Sequence, residues 1–254
     1  KTPLQKISII VAGATMNYVL ALLIFGLIAL NFGFAKPVVS EVALNSPAQK
    51  ADLRVGDRLL KVDNSTINTT SDLKLGVILA KGDAITLEIE RNGEKIIKEI
   101  VPTIDETGNS VIGITHEFVK NPTIGESIVQ GFKDTITMVS QTFKSLKMMF
   151  TGEANFKTDV GGPITIVKMS SQAAKAGIWT LMEFTAFMSV QLAVFNLLPL
   201  PALDGGLILI QILELITRKK IPEKFVGVVN SVGFALLMLL MVVVTLKDII
   251  FPVL

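Results

Sequence analysis

Two prolines two residues apart lie in the run Asn196-Leu197-Leu198-Pro199-Leu200-Pro201-Ala202-Leu203-Asp204-Gly205-Gly206, inside an apolar tract from about Ile178 to Ile216. Each proline lacks a backbone N–H and clashes with the preceding helical turn, so no helix runs through both. Two glycines directly after an aspartate loosen the backbone further. A hydrophobic helix is therefore expected to break here, with one carboxylate, Asp204, at the break. Two readings are open. In one, 196–206 is an ordinary connection and Asp204 caps the next helix, since Asp before Gly-Gly and an apolar run is a normal helix start. In the other, unwound backbone lies at membrane depth, tolerated only where it is buried in protein or lines a wet cavity. An ionisable residue there marks a functional site.

Of 254 residues, 50% are hydrophobic and 18% charged, with a mean hydropathy of +0.58. That is too apolar for a typical water-soluble protein and too charged for one embedded throughout. A multi-domain membrane protein is expected, with a helical transmembrane bundle and a water-facing domain. The formal net charge of +2 is too small to point to nucleic acid. Cysteine is absent, which excludes disulfides and thiolate metal sites. A single histidine excludes a two-histidine zinc site made by this chain alone.

Residues 7–35 carry no charge, and about 20 apolar residues cross a bilayer, so 1–35 reads as a transmembrane helix. A signal peptide would have a shorter apolar core and a small-residue cleavage site. The length of the run and the lack of an initiator Met instead suggest a chain that begins within a longer protein. Gly13 and Asn17, four apart, share a helix face. An amide in a spanning helix turns to other protein rather than lipid, either to bond a neighbouring helix or to serve a site.

Residues 36–120 are soluble in composition. Val38–Val42 reads as a strand, Arg58–Val62 and Ala84–Arg91 alternate as half-buried strands, and Asn92-Gly93 is a strong hairpin signal. With the run Ser46-Pro47-Ala48 to Val55-Gly56-Asp57, the order resembles a PDZ domain of the bacterial, circularly permuted kind, an α+β fold. Such domains accept a peptide tail as an added strand. Val38, Val39 and Val42, opposite a helix near Ser71–Ala80, are the expected groove. Val111–Phe118 supplies a closing strand. There His116-Glu117-Phe118-Val119-Lys120 begins like a zinc-protease His-Glu-x-x-His, but the fifth residue is Lys120 and the segment alternates. Two ligands four apart must share a helix face, so His116 is expected at a surface or sheet edge.

In 121–177, Ile124, Ile128, Phe132, Ile136, Val139, Phe143 and Leu146 recur at helical steps. This amphipathic helix either packs on the PDZ-like core or lies in the membrane interface, where it would gate substrate entry. Pro163, after Gly161-Gly162, suits a first helical position, and Gly177 a position just past a helix end. Then come the broken transmembrane helix 178–216, a basic loop 217–224 and a last span in 225–254. Lys1 and Lys6, and Arg218, Lys219, Lys220 and Lys224, mark cytoplasmic ends. Three spans then put the PDZ-like domain outside the cytoplasm.

The pattern Asn196-x-x-Pro199-x-Pro201-x-Leu203-Asp204-Gly205-Gly206 closely resembles the second signature of the site-2 protease family, the intramembrane zinc metalloproteases of the bacterial RseP type. Gly13-x-x-x-Asn17 and Gly161-Gly162-Pro163 resemble further patterns of that family. The resemblance implies a multi-pass protein of the bacterial inner membrane, acting in regulated intramembrane proteolysis. Its substrate would be a transmembrane helix of another membrane protein, such as an anti-sigma factor or signal-peptide remnant, with the PDZ-like domain filtering candidates. It implies a Zn2+ cofactor whose two histidines and glutamate base lie in a His-Glu-x-x-His helix. This chain has no such motif, so Asp204 would be only the third ligand and the chain alone is expected to be inactive. By the same resemblance Asn196 would hydrogen-bond the substrate backbone or the developing oxyanion. Pro199, Pro201, Gly205 and Gly206 would keep the region unwound, with Gly13 and Asn17 helping to shape it. Leu207 stands where the family often has histidine. Two other readings stay open: a non-catalytic membrane-anchored PDZ adaptor for peptide tails, and an ion-coupled transporter built on a broken helix, against which the lack of internal repeats argues.

Overall fold

The computed structural model describes residues 2–105, 108–153, 155–156 and 160–252. Lys1, used above for orientation, and part of the polar loop before Gly161 lie outside the described residues. The chain divides into two compact units, Phe25–Thr137 and Lys1–Ile24 with Met138–Leu254. The first helix, α1 (Pro3–Phe32), is apolar along its length.

The Phe25–Thr137 unit is built on a sheet that begins one residue after α1. Its elements are β1 (Phe34–Val42), α2 (Pro47–Lys50), β2 (Arg58–Val62), β3 (Ser65–Thr66), α3 (Thr70–Leu79), β4 (Ile85–Arg91), β5 (Glu94–Ile100), β6 (Thr103–Ile104), β7 (Ser110–Val111) and β8 (Ile114–Val119). Among the described residues the main sheet has the order β5-β4-β2-β1-β8, with β3 on β2, and its pairs are antiparallel. Alternation along β4 sends Ile85, Leu87 and Ile89 into the core beside Val39, Leu59 and Val77. Asn92 and Gly93, at φ 52° and 84°, make the tight turn between β4 and β5.

The last strand closes the sheet beside the first, and this corrects the expected groove. Val38 pairs with Arg58 of β2, while Val39 and Val42 pair with His116 and Ile114 of β8. β1 thus lies between β2 and β8, joined to β2 only by the pair at Val38, and the edges of the sheet are β5 and β8. The sequence alone did not reveal that the closing strand would occupy the side left for a peptide.

Asp57, of the Val-Gly-Asp run, is 1% exposed. It accepts hydrogen bonds from Arg91 Nε and Nη2 at 2.7 and 2.8 Å and from the Arg54 N–H at 2.8 Å. Burial pushes its carboxyl up, but the Arg91 and Arg54 hydrogen bonds outweigh that and hold it below the ordinary range. The pair ties the 52–57 turn to β4. His116 sits on the edge strand with its ring partly buried, which lowers its pKa below the ordinary 6.5.

After β8 comes α4 (Ile124–Thr151). Its amphipathicity is inverted relative to a soluble helix. The buried residues are polar, Ser127, Gln130, Thr135, Thr137 and Thr142, while Ile124, Ile128, Phe132, Ile136 and Phe143 are exposed. Within its first half, the Thr137 hydroxyl donates to Asp72 Oδ2 of α3 at 2.8 Å. The apolar stripe therefore does not pack on the sheet's core.

The second unit contains α5 (Pro163–Ala176), α6 (Ile178–Leu197), α7 (Asp204–Thr217) and α8 (Glu223–Ile250). Among the described residues α1, α6 and α8 are long and apolar enough to cross a membrane. Pro163 opens α5, and Gly177, at φ 119°, separates α5 from α6. Asp248 near the end of α8 caps α5, accepting from the Gly162 N–H at 3.0 Å and the Thr165 N–H at 3.0 Å. Ser189 of α6 donates to the Asn17 carbonyl of α1 at 2.9 Å, and Ala14, Ala21, Ala186 and Ala193 on the same two helices are buried.

Two outcomes are expected for the sheet. Asp57→Ala removes the hydrogen bonds from Arg91 and Arg54, while Arg91 keeps Asp52, and should lower stability by about 1–3 kcal/mol, read as a fall in the thermal midpoint. For His116, the unfolded chain takes up a proton near pH 6.5 that the folded chain takes up only at lower pH. Stability should therefore fall as the pH drops through 6.5 toward the folded pKa, and His116→Phe should flatten that part of the profile.

Candidate functional site

The break lies between α6 and α7. At Leu198 the backbone leaves helical space, with φ −62° and ψ 139°. Pro199 and Pro201 remove two donors that could not have been paired in a helix. The remaining amides find local partners: Leu198 N–H donates to the Phe195 carbonyl at 3.1 Å, Leu200 N–H to Leu198 at 2.7 Å and Leu203 N–H to Leu200 at 3.3 Å. Ala202, at φ 69°, is left-handed without being glycine. Its N–H leaves the loop and donates to Asn230 Oδ1 on α8 at 3.3 Å.

Asp204 is the first residue of α7, and Leu203 takes the capping position, with its carbonyl accepting from Gly206 and Leu207 at 3.1 and 3.3 Å. The side chain of Asp204 is half-buried. Among the described residues it accepts no hydrogen bond and pairs with no cation. The simple capping reading is thereby removed. A carboxylate between two apolar helices, with its oxygens unengaged, can accept a metal ion.

Gly205 and Gly206 do not unwind the chain: both are buried and belong to α7. Their role is close approach. A Cβ on Gly205 would run into the carbonyl oxygens of Leu197 and Leu198, and one on Gly206 into the Leu200 carbonyl. Gly233 of α8 does the same for Pro201, whose backbone and ring occupy the space a side chain would need. Asn230 and Gly233 lie one turn apart and together seat the break on α8. Sequence reasoning missed both. An amide and a glycine three apart in the uncharged run Phe225–Leu246 were the available signal.

Asn196 ends α6 half-buried, with no side-chain hydrogen bond among the described residues. Asn17 is brought against α6 through its carbonyl, whereas the Cβ direction of Gly13 has no neighbour within 4 Å. His116 lies in a strand, away from any helical metal motif. Among the described residues no three His, Asp or Glu side chains gather as a metal site. Asp204 suits a metal ion as one ligand, and the other donors are not in this set.

A sequence model described as peptidase family M50 matches residues 1–240. A Clostridium perfringens protein named as a candidate zinc metalloprotease is 55% identical over 254 residues, spanning 100% of this chain and 76% of that one. The zinc metalloprotease RasP of Geobacillus kaustophilus is 33% identical, covering 98% of this chain and 60% of its own. Among solved structures, a PDZ domain of an SdrC-like protein from Listeria monocytogenes is 22% identical over 33% of this chain and 88% of that one, with a TM-score of 0.30.

The packing at the break carries its own test. Gly233→Ala should cost about 1–3 kcal/mol through overpacking against Pro201. Gly13→Ala, which meets nothing, should be neutral or stabilising by up to about 1 kcal/mol. Thermal unfolding in detergent distinguishes the two.

Proposed function

The chain belongs to peptidase family M50, whose relatives are zinc metalloproteases, and from that premise we propose that Asp204 is a zinc ligand of an intramembrane protease. The observation that carries this reading is the unengaged carboxylate of Asp204 at a break between two apolar helices. Zinc hydrolysis needs three protein ligands, an open position for water and a general base. This chain supplies one ligand, and a His-Glu-x-x-His helix in the complete protein supplies the others and the base. When bound, zinc lowers the pKa of a water molecule and polarises the scissile carbonyl.

The chain's own residues do the rest. Pro199 and Pro201 keep the connection out of helical geometry, so that Asp204 stands at a helix end beside the break. Gly205, Gly206 and Gly233 let α7, the end of α6 and α8 close around it. Asn196, one turn before the break, offers an amide to the substrate backbone or the developing oxyanion. The substrate is a transmembrane helix of another protein, unwound locally because helical hydrogen bonds cover its carbonyls.

The basic loop at Arg218, Lys219 and Lys220, with Lys6, orients the break toward the cytoplasmic half of a bacterial inner membrane. The PDZ-like domain then lies outside, where it filters substrates. A peptide tail would add to the free edge of β8.

Metal content of the complete protein tests the ligand assignment. Asp204→Ala should weaken zinc binding by more than the roughly 10–100-fold typical of residues that only support a ligand, with folding retained. Unchanged zinc stoichiometry and affinity would remove Asp204 from the metal site.

A further inference from the structure

The Phe25–Thr137 unit contains a cleft of about 720 Å³ that plays no part in the proteolytic reading. The outward face of β1 and β2 forms one wall, and the first turns of α4 form the other through Gly125, Val129 and Lys133. Five cations line it: Lys36, Arg58, Lys61, Lys95 and Lys133. The two carboxylates in the lining, Glu88 and Glu126, are already engaged. Glu88 holds Lys61 at 2.9 Å and Lys95 at 3.1 Å. Glu126 caps its own helix, accepting from the Thr123 N–H and hydroxyl at 2.8 and 2.9 Å. Lys36 reaches Glu117 only at 3.5 Å. Among the described residues Arg58 and Lys133 make no ion pair. The cleft thus keeps positive charge that the protein does not neutralise.

Its surroundings give the rest of the ligand's chemistry. The cleft begins at Phe34, two residues beyond the end of the apolar helix α1. The first turns of α4 lie against the last turns of that span, since a Cβ on Gly26 would stand 3.3 Å from the Ser127 carbonyl. On the face of α4 next to the one lining the cleft, Ile124, Ile128 and Phe132 are exposed at 69%, 51% and 54%. Residues one apart on a helix are rotated by about 100°, so one ligand can touch both faces. An acidic peptide would meet the charge but leave the apolar stripe in water. An amphiphile with an anionic head meets both.

We propose that this cleft binds the anionic headgroup of a membrane phospholipid, with Arg58 and Lys133 taking the phosphate and the acyl chains lying along Ile124, Ile128 and Phe132. The site anchors the PDZ-like domain at the bilayer surface, and it stands independently of the metal assignment.

Purified complete protein in a nonionic detergent tests it, with native mass spectrometry reading retained lipid during titration with phosphatidylglycerol or phosphatidylcholine. Phosphatidylglycerol should bind more tightly, and each of Arg58→Gln and Lys133→Gln should weaken it about fivefold, as expected for one cation at an anionic surface. Neither residue has an ion pair to lose, so both variants should keep the wild-type thermal midpoint. Phe132→Ser should weaken phosphatidylglycerol but not soluble glycerol phosphate, which separates a lipid from a free phosphate. Equal binding of the two lipids, no effect of either charge change, or tighter binding of an acidic decapeptide than of phosphatidylglycerol would each overturn the proposal.

Discussion

A backbone amide in apolar surroundings must find a partner, and that requirement governs the half of the chain around the break. Between Leu198 and Leu203 the helix ladder is lost, and two prolines reduce the number of donors left to satisfy. Short turns take up most of the rest, and the one amide that escapes them, from Ala202, is met by Asn230 of another helix. The break is therefore held by a specific acceptor. Glycines at 205, 206 and 233 complete the arrangement because only a missing side chain lets backbone meet backbone that closely. Leu203 and Asp204 inherit their position from this packing.

The same accounting explains α4. A helix that buries Ser127, Gln130 and Thr137 and exposes Ile128 and Phe132 would be poorly placed in water, where contiguous apolar stripes are uncommon on monomers. A bilayer surface would suit that stripe, while the threonine hydroxyls find partners inside the protein. Thr137 bonds Asp72 in one unit, and Thr142 accepts from Gln191 at 3.0 Å in the other. The interface reading of this helix thus rests on which face is buried.

Periodicity made most elements legible. The strands β2, β4 and β5, the Asn92-Gly93 turn, the helix opened by Pro163 and the break itself all follow from local patterns with local causes. What the pattern could not carry was pairing across distance. Val38–Val42 reads as a strand, but nothing in it says that β8 will return to pair along β1. Gly205 and Gly206 look like loosening residues in sequence, and only three-dimensional packing reveals them as contact points in a helix. Asn230 and Gly233, which seat the break, lie in a run that reads simply as a membrane span. Asp204 could be picked out because an aspartate in an apolar tract is rare enough to need a reason.

That reason is sharpened by the other aspartate in an apolar helix. Asp248 lies within α8 but is saturated: two amides at the start of α5 and the Lys247 ammonium, at 3.3 Å, use its oxygens. Its role is complete within the fold, where it ties the start of α5 to the end of α8. Asp204 is the same residue type in a more open setting, half-buried rather than buried, and no group among the described residues engages it. Half-buried, it keeps access to solvent, so the fold does not need to pair it, and the first turn of α7 presents it at the break. Such a carboxylate is open to a partner from outside the described residues. For a chain of peptidase family M50, a metal ion is the partner proposed for it.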